Sequence, residues 1–259
     1  MILQDLIAAL ELPISSRVDQ RIPKKLLVEN GAPAAADKRN INDGIDEIQW
    51  VASLKPSTIG VPEYRDEIRE YLEITVLHIA LRSGAKAARI AKLTHRAVPY
   101  PLILLLTAQD QLMLSMAHIR WAQNEAGKVV LDGEPVAVVL AEDSIPAGIL
   151  PAFLRALSIA RQPRTNLKAL YQGWLDTLTA CQAAQITGAF TRSETEEQAA
   201  LRRAALQDYQ RLEAEGARLR SLAANEKQLA RRVEMNIELQ RLQRKLEKAT
   251  QQLAHSAQS

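Results

Sequence analysis

The chain has 259 residues, 47% hydrophobic and 24% charged, which is enough for one sizeable core plus an appendage. Its single cysteine, Cys181, excludes an internal disulfide framework and a cysteine-rich zinc site, so a reducing, cytoplasmic compartment is expected. A net charge of +3 permits an acidic partner without requiring one, and the longest apolar runs fall far short of the roughly 20 residues of a membrane span, so no membrane partner is expected.

Ile2, Leu3, Leu6, Ile7 and Leu10 recur at helical spacing, and Pro13 ends the pattern. The stretch RIPKKLLVENG, beginning at Arg21, reads as a short strand closed by Asn30-Gly31, a turn dipeptide that favours positive φ. NDGIDEIQWVASL places Ile45, Ile48, Trp50 and Val51 on one side of a helix, with Asn40 or Asn42 as its cap.

From Tyr71 to Leu140 the pattern changes to strands. YLEITVLHIAL and PLILLLTA are strand-length apolar runs, and QLMLSMAHIRW follows a short polar break at Gln109-Asp110. KVVL and PVAVVL flank Asp132-Gly133 as an expected hairpin. A helix from Ser83 to Arg96 crosses between two of these strands. Pro99 and Pro101 stop it before Val98, because a residue preceding proline is pushed out of the α region, and they align the next segment as a strand. The expected class is α+β: a mostly antiparallel sheet of four or five strands with flanking helices.

After about Ser144 the chain reads as helical. IPAGILPAFLRALSIAR is ended by Pro163, and TNLKALYQGWLDTLTACQAAQI sets Leu167, Leu170, Trp174, Leu178 and Cys181 on one face, with Thr165 as its cap. Gly188 closes the globular domain, residues 1–190. Residues 191–259 are expected to form one long coiled-coil helix, capped by Ser193 with Glu196 and running from about Glu194 to His255, roughly 90 Å at 1.5 Å per residue. Leu219, Leu222, Leu229, Val233, Leu239, Leu242, Leu246 and Leu253 form its expected interface, with a one-residue register slip between Val233 and Leu239. The alternative is a helix folded back on itself with AANEK, Ala223 to Lys227, as the turn.

Few constellations carry chemistry. The four histidines, His78, His95, His118 and His255, share no ligand spacing, so no metal site is expected; His78 and His118 lie in strand patterns that suit hydrogen-bonded structural imidazoles. No glycine-rich phosphate loop and no serine nucleophile elbow occurs, Cys181 lies on an apolar helix face, and no cofactor is expected. A metal-dependent nuclease would need converging acids and a lysine; Glu73 is the best strand-borne candidate, but the lysine that common nuclease cores place two residues later is missing. An exposed strand position is the simpler reading of Glu73. Arg82, Lys86, Arg89, Lys92 and Arg96 recur at intervals of three and four on one broad helix face, and from Arg82 to Arg120 six Lys or Arg stand against one acid, Asp110. Such a stripe would attract a phosphate backbone, or would be a solvated helix face. Lys24 and Lys25 add a second, smaller basic spot.

Four stretches, IPKKLLVENG, DKRNINDGIDEIQWVASLKPSTIGVP, YLEITVLHIALR and AVPYPLILLL, resemble in order and spacing an uncharacterised prokaryotic family, domain of unknown function four-three-nine-one; the recognisable motifs stop near Leu106. The resemblance implies a cytoplasmic protein often encoded beside DNA methyltransferase and helicase genes, in restriction-like or phage-defence neighbourhoods, and it implies no catalytic residue. The expectation is therefore a non-catalytic interaction subunit of a DNA-modification, restriction or phage-defence type complex. The Arg82–Arg96 stripe would touch phosphates, and the final helix would pair with itself or with a protein partner. A nucleic-acid enzyme acting through Glu73 and a purely structural homodimer are the alternatives.

Overall fold

A computed structural model describes residues 3–32, 34–109, 111–123, 125, 127–141, 146 and 148–255; Ile2, Asp110 and Ser144 lie outside these residues. The chain divides into two compact units, Met1–Leu178 and Thr179–Ser259.

The first unit opens with α1 (Leu3–Ala9), which buries Leu6 and Ile7, and with the strand β1 (Arg17–Arg21). Where a strand is expected from Arg21 onward, the chain instead forms the helix α2 (Lys25–Gly31) after Pro23. Its buried residues, Leu27 and Gly31, stand four apart, and Gly31 serves close packing rather than a turn. A Cβ built on Gly31 would lie 2.7 Å from both the Leu93 carbonyl oxygen and the Ala97 Cβ. Gly31→Ala is therefore expected to lower stability by about 1–3 kcal/mol in urea unfolding, although alanine is the better helix former. A raised midpoint would contradict this close approach.

The second departure lies in NDGIDEIQWVASL. The helix α3 (Ala35–Gly44) ends at Gly44, and Ile45–Leu54 is the strand β2. Its pairing register shifts between Ile45 and Glu47 and again between Trp50 and Ala52. Each bulge adds a residue, so buried Ile45, Ile48 and Val51 recur every third position and imitate a helix. After the single turn α4 (Pro56–Ile59) comes a small ribbon of β3 (Tyr64–Arg65) and β4 (Glu70–Tyr71).

The strand β5 (Ile74–Leu81), the helix α5 (Ala87–Ala97) and the strand β6 (Leu102–Ala108) follow the expected order, and β5 and β6 pair in parallel across the helix. Val98 leaves the helix at φ −96° and ψ 119°, the extended conformation that Pro99 demands. The run QLMLSMAHIRW divides into β7 (Gln111–Met116) and β8 (Ile119–Trp121). Gly133 does turn the chain, with φ +93°, but the strands beside it do not form a hairpin. β9 (Val129–Leu131) pairs with β8, while β10 (Val136–Leu140) pairs with β7.

The main sheet thus has six strands rather than four or five, in the order β1-β2-β5-β6-β7-β10, with every neighbouring pair antiparallel except β5 and β6. Leu77, Ile79, Leu104 and Leu106 meet Leu27 of α2 and Ile90 and Leu93 of α5 in one apolar layer. After the helix α6 (Ile149–Ala156), the long helix α7 (Leu167–Thr187) starts with Asn166, not Thr165, accepting the Ala169 N–H at 2.9 Å. The buried Tyr171 hydroxyl accepts the Ala117 N–H at 3.0 Å and donates to the Leu102 carbonyl at 2.9 Å, tying α7 to the sheet.

In the second unit, Gly188 takes φ +81° and returns its N–H to the Ala184 carbonyl at 2.8 Å. The final segment is two helices, α8 (Glu196–Asn225) and α9 (Leu229–His255), not one. Thr195, two residues beyond the expected Ser193, caps α8 by accepting the Gln198 N–H at 3.2 Å, and the Gln198 side chain answers by accepting the Glu194 N–H at 2.8 Å. Leu212 and Leu219 of α8 meet Leu242 and Ala249 of α9 along a shared seam, so the two helices form a hairpin. Its connection, residues 226–228, overlaps the stretch Ala223–Lys227 expected as the turn of the alternative, and the Glu226 carboxylate accepts the Gln228 N–H at 2.8 Å there.

Candidate functional site

The expected helix from Ser83 begins only at Ala87, so Arg82 stands ahead of α5 and Lys86 at its N-cap, and the basic stripe is largely neutralised within the fold. Arg89 forms a bidentate pair with the buried Asp37 carboxylate at 2.8 and 2.7 Å, and Lys92 donates to both oxygens of Glu134 at 2.7 Å. Arg82 lies 3.5 Å from Asp46. Lys86 and Arg96 are exposed and, among the described residues, have no carboxylate within 4.0 Å. In the smaller basic spot Lys24 donates to the Ile45 carbonyl, and Lys25 lies 3.5 Å from Glu29. The neutralising acids of the stripe come from α3, from β2 and from the segment before β10. A local charge count could not include them.

Glu73 is buried, not exposed. Its Oε1 accepts from the Ser53 hydroxyl at 2.7 Å and the Thr75 hydroxyl at 3.3 Å, while Oε2 stands 3.2 Å from the Lys55 ammonium. Lys55 therefore supplies the cation from the adjoining strand end rather than from two residues downstream. The carboxylate joins the end of β2 to the start of β5. Among the described residues no group of three His, Cys, Asp or Glu side chains is placed to hold a metal ion.

Thr75 also faces an apolar cleft of about 200 Å³ whose walls include Leu26, Trp50, Leu77, Val98 and Tyr100. The Pro99-Tyr100 junction forms one lip. The Trp50 indole N–H donates to the Ala52 carbonyl at 3.0 Å, which leaves the ring as a fixed wall with no free donor. No charged side chain lines the cleft, so an occupant would be held by burial of apolar surface.

The histidines serve the structure. His78 Nε2 shares a hydrogen bond with Thr107 Oγ1 at 2.9 Å, and His95 Nε2 with Ser115 Oγ at 3.0 Å. His118 lies between β7 and β8, where its Nε2 donates to Gln172 Oε1 at 2.8 Å and leaves Nδ1 to accept from the Tyr71 hydroxyl. Burial holds all three imidazoles below the ordinary histidine range, His95 at about 3, and it pushes the Tyr71 phenol above the ordinary tyrosine range. Cys181 is buried in α7 with its thiol pushed up to about 12, which removes it as a thiolate nucleophile.

The residues expected as a coiled-coil interface separate into two groups. Leu219, Leu239, Leu242 and Leu246 belong to the seam inside one hairpin, and Leu253 packs with Ala183 and Leu206. Leu222, Leu229 and Val233 face outward at 46%, 67% and 49% exposure, joined by Ile237 at 47%, which sequence reasoning passed over. Leu229, Val233 and Ile237 stand four residues apart. They form one stripe on α9, turned away from the seam.

A family model described as a domain of unknown function, DUF4391, matches residues 10–246 of the chain. No curated protein and no solved structure matches.

Proposed function

We propose that this chain, which belongs to the DUF4391 family, is a non-catalytic interaction subunit of a DNA-modification, restriction or phage-defence type complex, joined through its C-terminal hairpin. The observation that carries the assembly part is the exposed stripe of Leu229, Val233 and Ile237. The hairpin seam takes Leu212, Leu219, Leu242 and Ala249, while this row on α9 is left in water. Burying the exposed half of each side chain contributes about 1 kcal/mol apiece, enough to bias a protein–protein association that polar contacts complete. The DNA-related setting rests on the family resemblance.

On the α5 stripe Lys86 and Arg96 are the cations left for a phosphate. Arg82, Arg89 and Lys92 would have to give up carboxylate partners first.

Val233→Asp tests the assembly. Valine and aspartate have similar helix propensities and the site is exposed, so the unfolding midpoint is expected to move by less than about 0.5 kcal/mol equivalent. The mass of the protein's assembly in solution, measured by light scattering, should nevertheless fall to that of the free chain. A wild-type chain that forms no assembly with itself or with a co-purified partner, or an assembly that ignores Val233→Asp, would remove this reading.

A further inference from the structure

We infer that the C-terminal half of α9, together with Arg220 on α8, is a binding surface for the phosphate backbone of a nucleic-acid duplex, independent of whatever covers the apolar stripe. From Gly216 to Leu253 the chain carries nine Lys or Arg against four Glu, an excess of five that exceeds the net +3 of the whole protein. The positive charge therefore resides on the hairpin.

The placement is specific. Arg241, Arg244, Lys245 and Lys248 follow one another by three, one and three residues, which at 100° per residue confines them to an arc of about 100°. All four are exposed, and among the described residues none has a carboxylate within 4.0 Å, in contrast to the paired Arg82 ahead of α5 and Arg89 and Lys92 on it. Between Gln240 and Gln252 the single acid of α9 is Glu247, about 60° outside the arc at 100° per residue. The field of these cations is thus not cancelled by the fold.

Gly216 deepens the surface. It presents no side chain where α8 faces α9, and a groove of about 620 Å³ opens there, lined by Arg220, Arg244, Gln240, Gln243 and Glu247 among others. Guanidinium and amide groups supply donors for phosphate oxygens.

Duplex fits better than single strand or acidic protein. α9 contains no aromatic residue on which unpaired bases could stack. The four cations span about 10 Å of helix, along which a duplex presents roughly six phosphates, a charge density that folded acidic surfaces seldom match. Recognition would follow the backbone and not the base sequence.

The test is fluorescence anisotropy of a labelled 20-base-pair duplex with the full chain at 50 to 200 mM NaCl. Five neutralised phosphates give an expected slope of log K against log salt of about −4.5. The Arg241→Gln/Arg244→Gln/Lys245→Gln variant, whose glutamines preserve helix propensity, should bind at least about tenfold more weakly at 50 mM NaCl and lose about 2.7 from that slope. Circular dichroism of the variant should match the wild type. Lys38→Gln/Arg39→Gln, which neutralises two exposed cations of α3, should change neither affinity nor slope, and Val233→Asp should retain duplex binding even where it abolishes assembly. The inference is overturned if the wild type does not bind duplex at 50 mM NaCl or if the α9 variant keeps the wild-type slope. It is equally overturned if the α3 variant loses as much affinity, or if polyglutamate of equal charge displaces the protein as well as unlabelled duplex does, which would make an acidic protein the partner.

Discussion

Arg89→Ala is expected to destabilise the protein by about 3 kcal/mol, because it leaves the Asp37 carboxylate buried without its cation. Arg89 is 40% exposed along its side chain, which holds the cost at the low end of the range for broken buried pairs. The loss should appear as a lower urea midpoint with an unchanged slope. Arg89→Leu combined with Asp37→Leu should recover most of it, since apolar residues of similar size often replace a buried pair at little cost. If Arg89→Ala unfolds at the wild-type midpoint and weakens duplex binding instead, the residue belongs to a phosphate interface and the structural pairing is not its role. The exposed Lys92–Glu134 pair should contribute little by comparison, and its effect should fade with salt.

The second large effect concerns acid. His95 is buried and uncharged in the folded protein, with a pKa of about 3, while an unfolded chain binds its proton near pH 6.5. The unfolded state therefore holds more protons at any pH between these values, and stability falls as pH falls. The full stability is present above about pH 6.5, and the loss grows until the folded value is reached. At pH 4.5 His95 alone is expected to cost about 2–3 kcal/mol relative to pH 7.5. His78 and His118, whose pKa values are depressed by burial as well, act in the same direction. Urea unfolding at the two pH values measures the sum. His95→Gln, which keeps a hydrogen-bonding group toward Ser115, should make the acid dependence shallower by the His95 share; an unchanged dependence would show that other groups set it.

Much of the central sheet could be read directly. β5 and β6 are uninterrupted apolar runs, and the two prolines at Pro99 and Pro101 mark the helix-to-strand junction by steric rules that tertiary structure cannot override. β2 could not, because its two bulges convert the two-residue period of a strand into the three-residue period of a helix. Asp132-Gly133 carries a true turn signal, yet pairing partners are chosen by the whole sheet, so β9 and β10 part company. The hairpin of α8 and α9 is legible only as the alternative to one long helix, for another reason. Its connection contains neither glycine nor proline, and a heptad pattern reads the same whether the partner helix belongs to the same chain or to another.

The candidate surfaces show the same division. Cations on and just before α5 stand out by count, but the acids that neutralise Arg82, Arg89 and Lys92 lie 36 to 52 residues away in sequence, visible only after folding. Glu73 looks like a strand-borne acid open to solvent, and its burial depends on Ser53 and Lys55 arriving from the neighbouring strand. Leu229 and Val233 emerge as interface residues from spacing alone, and their exposure in the hairpin leaves them available for that use.

The most direct measurement is affinity purification of the tagged chain from its native cells, run side by side with the Leu229→Asp/Val233→Asp variant. A DNA-modifying or DNA-translocating enzyme should co-purify with the wild type in a fixed ratio and be absent from the variant, while the variant's helicity stays at the wild-type level. Recovery of the wild-type chain without such an enzyme, or recovery of the same enzyme with both proteins, would contradict an interaction subunit that docks through α9.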